Sequence, residues 1–456
     1  MPNTGSARVD GFPADFVWGC STASYQIEGS TEADGRGASI WDTFSRTPGK
    51  VFGGMTGDPA CDSYRRWKED VELVKTLGVD SYRYSVAWPR IQPDGSGKPL
   101  QAGLDYYKKL ADALGEAGVE SAVTLYHWDL PQALEDAGGW PNRDTAHRFA
   151  EYADIVFRAL GDRVARWFTL NEPWCSVFLG YETGEHAPGR KDKTAAYKAA
   201  HHLLLAHGLA VKAYRATGLA APIGIVLNTA TPKAATLDVA DIAAADRAAD
   251  QGTALWLDPI HGRGYPERHL TARGVTMPVL PGDLDTIAAP IDLMGLNYYS
   301  ERVVEAAEKE EEGFRDVPTS LNKTEMGWDI VPEGLHRMIM AITKRWPLKA
   351  IYVTENGAAF TDTVQASGRV HDLDRVAYLR SHIAACRRAV ADGAPLKGYF
   401  LWSLMDNFEW AHGYAKRFGL VHVDTVTGMR RPKDSYYFYR DLKVGAAGET
   451  ESWKAP

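Results

Sequence analysis

Cysteine is scarce in this chain of 456 residues: there are four, Cys20, Cys61, Cys175 and Cys386, widely spaced and with no C-x-x-C pair. That spacing offers neither a zinc ribbon nor a thioredoxin-type centre, and four thiols in so long a chain are expected to be reduced and buried. No stretch approaches the length of an apolar membrane span, so no membrane partner is expected. Positive charge is not in excess either. Lys and Arg number 51 against 59 Asp and Glu, a net charge of −8, which gives no electrostatic ground for binding nucleic acid. The opening residues Met1-Pro2-Asn3-Thr4-Gly5 lack a basic and then apolar leader, and a cytoplasmic location is the expectation. G-x-G-x-x-G, G-x-x-x-x-G-K-[ST], G-x-S-x-G and H-E-x-x-H are all missing, which removes the usual nucleotide, serine-hydrolase and zinc-protease signatures. No linker-like tract divides the chain, so residues 1–456 are expected to form a single domain with loose ends near 1–10 and 444–456.

What the chain has in quantity is aromatic residues: 14 Trp, 21 Tyr and 14 Phe. Most, such as Trp67, Trp256 and Trp346, are expected to fill the core; a few flat rings can also pack on the apolar faces of sugars. The recurring unit is an amphipathic helix, a glycine and a strand. Tyr64, Trp67, Val71, Val74 and Leu77 fall three or four apart, Gly78 follows as a left-handed cap, and Val79 to Ala87 reads as a strand. Gly118, Gly161 and Gly218 repeat the pattern. Eight strands are expected near Phe16–Thr22, Asp80–Ala87, Glu120–His127, Val164–Asn171, Ile223–Asn228, Leu293–Tyr299, Ile351–Glu355 and Gly398–Ser403. A doubly wound sheet also alternates in this way, but usually has fewer strands and often a glycine fingerprint. The fold class expected is therefore α/β, a single (β/α)₈ (TIM) barrel. Connections after strands are long (Gly29 to Asp62, Pro173 to Thr194, Ser300 to Trp328, Met405 to Pro432). In such a barrel these loops build the active face.

The strand ends are polar. The first is followed by Gln26, and the second carries Arg83. The third ends His127-Trp128-Asp129, the fourth Asn171-Glu172-Pro173, and the fifth Asn228. The sixth ends Asn297-Tyr298-Tyr299, the seventh Glu355-Asn356-Gly357, and the eighth Trp402, leading to Glu409-Trp410. Parallel strands would bring these groups to one mouth. Amides, a histidine and carboxylates suit a ligand with many hydroxyls, each of which donates and accepts. No metal-ligand set is apparent. Two glutamates at the ends of strands four and seven can face each other, and paired carboxylates across a sugar are the machinery of glycoside hydrolysis. His201, His202 and His207 share one helix and have no metal spacing, so they are read as a packed helix face. The acidic run Glu305 to Glu312 is read as a solvated loop, and Gly35, Gly37, Gly53, Gly54 and Gly57 as shaping a loop.

Thr169-Leu170-Asn171-Glu172-Pro173, Tyr352-Val353-Thr354-Glu355-Asn356-Gly357 and the segment Phe12 to Gly29 resemble glycoside hydrolase family 1, the β-glucosidases, over about residues 12 to 443. The resemblance implies a retaining, exo-acting β-glucosidase that needs no cofactor and acts on small β-glucosides such as cello-oligosaccharides. Glu172 would be the acid/base and Glu355 the nucleophile. Gln26, His127, Asn171, Glu409 and Trp410 match residues that hold the sugar, with Trp402 under its ring and Trp128 placed in the same set. Arg83, Asn297 and Tyr299 match groups around the nucleophile, and Trp174, Asn228 and Trp328 the aglycone side. Leu170 stands where the family has Phe, a packing change. Cys20 stands where a small residue is common, and it and Cys175 are expected near the mouth. Transglycosylation, a broader galactosidase or fucosidase activity, and a sugar-binding barrel without turnover are the alternatives.

Overall fold

The computed structural model describes residues 9–443. Eight strands close into a parallel barrel: β1 (Val17–Ser21), β2 (Ser81–Ser85), β3 (Glu120–Tyr126), β4 (Val164–Asn171), β5 (Ile223–Leu227), β6 (Leu293–Asn297), β7 (Ile351–Glu355) and β8 (Leu396–Trp402). Each pairs with its neighbours in chain order, and β1 closes the ring on β8 with Val17 opposite Gly398 and Ser21 opposite Trp402. The principal helices after the strands are α1 (Ser63–Leu77), α2 (Gln101–Glu116), α3 (Asp144–Leu160), α4 (Lys193–Thr217), α5 (Val239–Ala249), α6 (Pro332–Arg345), α7 (Leu373–Ala391) and α8 (Asp434–Lys443). Gly78 and Gly218 end α1 and α4 at φ 75°, the left-handed cap their positions suggested.

The barrel interior has an apolar floor of Val17, Ala122, Phe168, Val226, Leu293, Tyr352 and Phe400. Its large rings fit because small residues stand beside them: a Cβ on Gly19 would lie 2.3 Å from the Phe400 ring. Over this floor sits Arg83, its guanidinium 5.6 Å from the centre of the Phe168 ring. The strand carboxyl ends above it carry the polar residues.

Several expectations change. Val9, inside the stretch expected to be loose, is buried in the main core; 1–8 and 444–456 lie outside the described residues. The Ser300 to Trp328 connection holds the strands Val303–Ala306 and Phe314–Asp316, which join Lys233–Ala234 in a small sheet. The acidic run is therefore not simply a solvated loop. Glu311 binds Lys193 and Arg273, and Glu312 accepts a hydrogen bond from Gln251. Cys20 does not face the mouth. On β1 the side chains of Val17 and Ser21 point inward, as a Cβ on Gly19 would, so Cys20 points outward into the layer between strands and helices. His201, His202 and His207 do pack, but around the helix rather than on one face: they meet Asp283, the Trp140 carbonyl and Thr169 in turn.

Candidate active site

Glu355 ends β7 almost fully buried. Its Oε1 accepts from Arg83 Nη1 at 2.7 Å and its Oε2 from the Tyr299 hydroxyl at 2.7 Å. The rest of the Arg83 guanidinium is engaged as well. Nη2 donates to Asn171 Oδ1 at 2.7 Å and Nε to Thr124 Oγ1 at 3.0 Å. Asn297 links the two halves of the site. Its Nδ2 donates to Asn171 Oδ1 at 3.1 Å and to Glu172 Oε1 at 2.6 Å, while its Oδ1 accepts from Thr354 Oγ1 at 2.7 Å. Charge-assisted bonds such as those from Arg83 hold an ionised carboxylate. Burial pushes the Glu355 carboxyl up, and Arg83, Tyr299 and Asn297 pull it back.

Among the described residues no cation is bonded to Glu172. Burial first, and then the Glu355 charge, push its carboxyl up to about 7, against the bonds from Asn297 and Cys175. Two carboxyls in one site thus have unequal surroundings, the pattern that separates an acid from a base. The sequence does not reveal Cys175 as a contact of Glu172. Its Sγ lies 3.1 Å from Glu172 Oε2, and Asn228 Nδ2 donates to the same sulfur at 3.4 Å. Asn356, beside Glu355, turns away: it bonds the Tyr298 carbonyl and the Tyr399 hydroxyl and belongs to the scaffold.

The remaining strand ends form the other wall. Asn171 Nδ2 donates to His127 Nε2 at 3.1 Å, which requires that nitrogen to be unprotonated. Burial and the Arg83 charge hold His127 neutral. The His127 ring lies nearly parallel to Trp402 and Trp410 at centroid distances of 5.8 and 6.0 Å. Trp128 packs on Trp410 at 4.5 Å and donates to the Asn171 carbonyl. Gln26 Nε2 donates to Asn407 Oδ1, the Phe408 carbonyl and Glu409 Oε2. Gln26 Oε1 is buried without a partner among the described residues, an acceptor free for a ligand hydroxyl. Burial, with the charges of Glu355 and Glu172, pushes Glu409 up to about 8. Trp128, Glu172 and Trp410 have φ of 76°, 43° and 48°, a left-handed region that non-glycine residues enter where surrounding packing holds them.

On the outer side, Trp328 packs on Tyr299 at 5.3 Å, and Trp174 on Phe178 at 5.5 Å. Asn228 reaches the acid through Cys175, whereas Trp174 turns toward the π-helix Cys175–Glu182. Sequence reasoning misses His186 and Trp41: their rings lie 5.4 Å from Trp128 and 4.6 Å from Trp410 respectively. Neither lies on a barrel strand, so no strand end marks it as facing the mouth.

The family model described as Glycosyl hydrolase family 1 matches residues 8–446. "Beta-glucosidase A" of Thermotoga maritima is 49% identical over 438 residues, 95% of this chain and 98% of that protein. A "Bifunctional beta-D-glucosidase/beta-D-fucosidase" of Bifidobacterium breve is 45% identical, over 94% of this chain and 97% of its own. The solved family 1 β-glucosidase from Thermotoga maritima superposes with a TM-score of 0.94 at 48% identity, over 97% of this chain and 100% of the other.

Proposed function

The chain belongs to glycosyl hydrolase family 1, and on that premise we propose that it is a retaining, exo-acting β-glucosidase working as one catalytic barrel domain on terminal β-glucosyl residues. The observation that carries this reading is the unequal pair: Glu355 bonded to Arg83 and Tyr299, Glu172 without a bonded cation, and Asn297 donating to Glu172 from the strand beside Glu355. Glu355, as carboxylate, attacks the anomeric carbon. Glu172, as acid, protonates the leaving oxygen. The covalent glycosyl-enzyme is then opened by water that gives its proton to Glu172. Gln26, His127, Asn171, Glu409, Trp410 and Trp402 hold the sugar, with Trp128 beside them. Asn228, Trp174 and Trp328 take the aglycone side. Short cello-oligosaccharides in the cytoplasm, products of cellulose breakdown, fit a site closed at the sugar's outer end by Glu409 and Trp410.

The stereochemistry tests the mechanism. Retaining enzymes hold their carboxyl groups about 5–5.5 Å apart, and proton NMR of early hydrolysis is expected to show β-glucose first; α-glucose first would end the double-displacement reading. Glu355→Ala is expected to lose nearly all turnover. Glu172→Ala is expected to keep glycosylation by a dinitrophenyl glucoside, whose leaving group needs no proton, and to give β-glucosyl azide when azide is added. An α-azide from that variant would reverse the two roles. The Bifidobacterium relative favours a second reading, a broader β-glycosidase that also accepts fucosides. A panel varying one sugar at a time decides between them, and product ratios with added alcohol measure transglycosylation.

A further inference from the structure

The thiol beside the acid/base takes no part in the bond making and breaking of the double displacement. We propose that Cys175 is a positioning residue for Glu172, its S–H fixing Oε2 while Asn228 orients the sulfur. The inference rests on the assignment of Glu172 as acid/base and adds to it the group that aims its outer oxygen.

Glu172 sits at φ 43°, just past the end of β4, so its backbone does not by itself fix where the carboxyl points. Asn297 holds one oxygen, Oε1. A carboxyl held at one oxygen can still swing about that bond, and the second contact is Cys175 Sγ at 3.1 Å from Oε2. The turn closed by the Cys175 N–H on the Glu172 carbonyl at 3.0 Å brings the sulfur back over the acid, and the π-helix Cys175–Glu182 begins there. Wide turns of this kind recur where a side chain must be re-aimed at a functional site. Asn228, from the end of β5, then donates into the sulfur at 3.4 Å. With a lone pair of Sγ engaged by that amide, the thiol proton is directed at Glu172. Burial and the neighbouring Glu172 charge push the thiol well above its usual range, so it stays protonated and keeps that proton to donate.

A weak donor suits a group that must cycle between acid and base. An S–H bond to the carboxylate orients it without holding it ionised as an arginine would. The same reasoning gives a sign. The S–H···O bond favours the charged form of Glu172, so losing it raises the pKa of the acid, and the alkaline limb of the kcat/KM profile moves to higher pH.

The test compares Cys175→Ala, Cys175→Ser and Cys386→Ala with the parent enzyme. Cys386 is a buried core thiol in the middle of α7, in the helical layer rather than at the carboxyl end of a strand. Cys175→Ala is expected to shift the alkaline limb upward by a few tenths of a pH unit. It is also expected to lose roughly three- to tenfold in kcat/KM on an alkyl glucoside, the worth of about one hydrogen bond, with little loss on a dinitrophenyl glucoside. Cys175→Ser, which keeps a donor, is expected to restore the limb. Cys386→Ala is expected to lower stability and leave the limb in place. An unshifted limb in Cys175→Ala, whatever its activity, overturns the proposal. Azide rescue of Glu172→Ala is run alongside; if that fails, the acid/base assignment falls instead.

Discussion

Glu409 shows how a single residue's surroundings revise an argument made from its type. A carboxylate in its place would, by type alone, accept hydrogen bonds from two sugar hydroxyls and repel a phosphate. In the fold it shares a buried site with Glu172 and Glu355, and their charges help to push it up to about 8. Near neutral pH it is therefore largely protonated before sugar binds. Repulsion of a 6-phosphate then comes from the group of three carboxyls taken together rather than from Glu409 alone. The cation at hand, Arg83, is already bound to Glu355 and Asn171, so none of its charge is left for a phosphate. p-Nitrophenyl β-glucoside is expected to be turned over on the order of ten-thousandfold better, in kcat/KM, than its 6-phosphate, the size of discrimination that buried polar groups left unpaired give. Glu409→Ser is expected to weaken the first and relax the difference. Equal turnover of both substrates by the parent would remove Glu409 from the sugar's outer hydroxyls.

At the level of the strand, most of the barrel was legible because the signals are local. Gly161 and the aromatic run after it place β4 to the residue, and the β-branched and aromatic run Ile351-Tyr352-Val353-Thr354 places β7. Which face a side chain takes was less legible. Strands of a parallel barrel are buried on both sides, so Val17-Trp18-Gly19-Cys20-Ser21 has no polar alternation to reveal that Cys20 points outward. Only the neighbours decide it: Phe400 fills the space over Gly19, which sets the parity of the strand. Gly19→Ala tests that packing. Its Cβ would meet the Phe400 ring at 2.3 Å and the Ser81 carbonyl at 2.8 Å, and overpacking a close-packed core costs about 1–3 kcal/mol. A lower thermal midpoint with unchanged KM in the surviving enzyme is expected. An unchanged midpoint would mean that β1 shifts to make room. Trp41 and His186 stayed illegible for a different reason: they reach the site along long connections after strands, whose paths follow no repeat.

Over the whole molecule, two populations of buried groups pull stability in opposite directions with pH. His186 and His207 are pushed down to about 3, and His202, His269 and His382 to about 4, in each case by burial first. Unfolded, each titrates near about 6.5. Below that pH the unfolded chain binds more protons than the folded one, so stability falls as pH drops from about 6.5 toward 4. Asp129 and Glu172 are pushed up to about 7 and Glu409 to about 8, again by burial first. Unfolded carboxyls titrate near about 4. Here the folded chain binds the extra protons, so their effect is a loss of stability as pH rises from about 4 through 7 to 8. Burial also lowers His127, His201, His261, His412 and His422 and raises Asp70, Glu135, Glu312, Glu355 and Asp372; the histidines still outnumber the carboxyls on the acid side, and the carboxyls prevail once the histidines of the unfolded chain are neutral. Urea midpoints are therefore expected to peak between about pH 6 and 7. Glu172 must be protonated to act as acid, so activity is expected to fall on the alkaline side over the same range in which stability does. Glu409→Gln separates the two populations: it removes one raised carboxyl, and with it the charge that carboxyl gains only as pH rises through about 8, and touches none of the five histidines. The fall in urea midpoint between pH 7 and 8.5 is expected to be shallower in that variant, with the fall below pH 6 unchanged. Identical alkaline slopes in parent and variant would show that Glu409 is ionised in the folded enzyme at neutral pH, and that the three carboxyls do not share their charge as their burial requires.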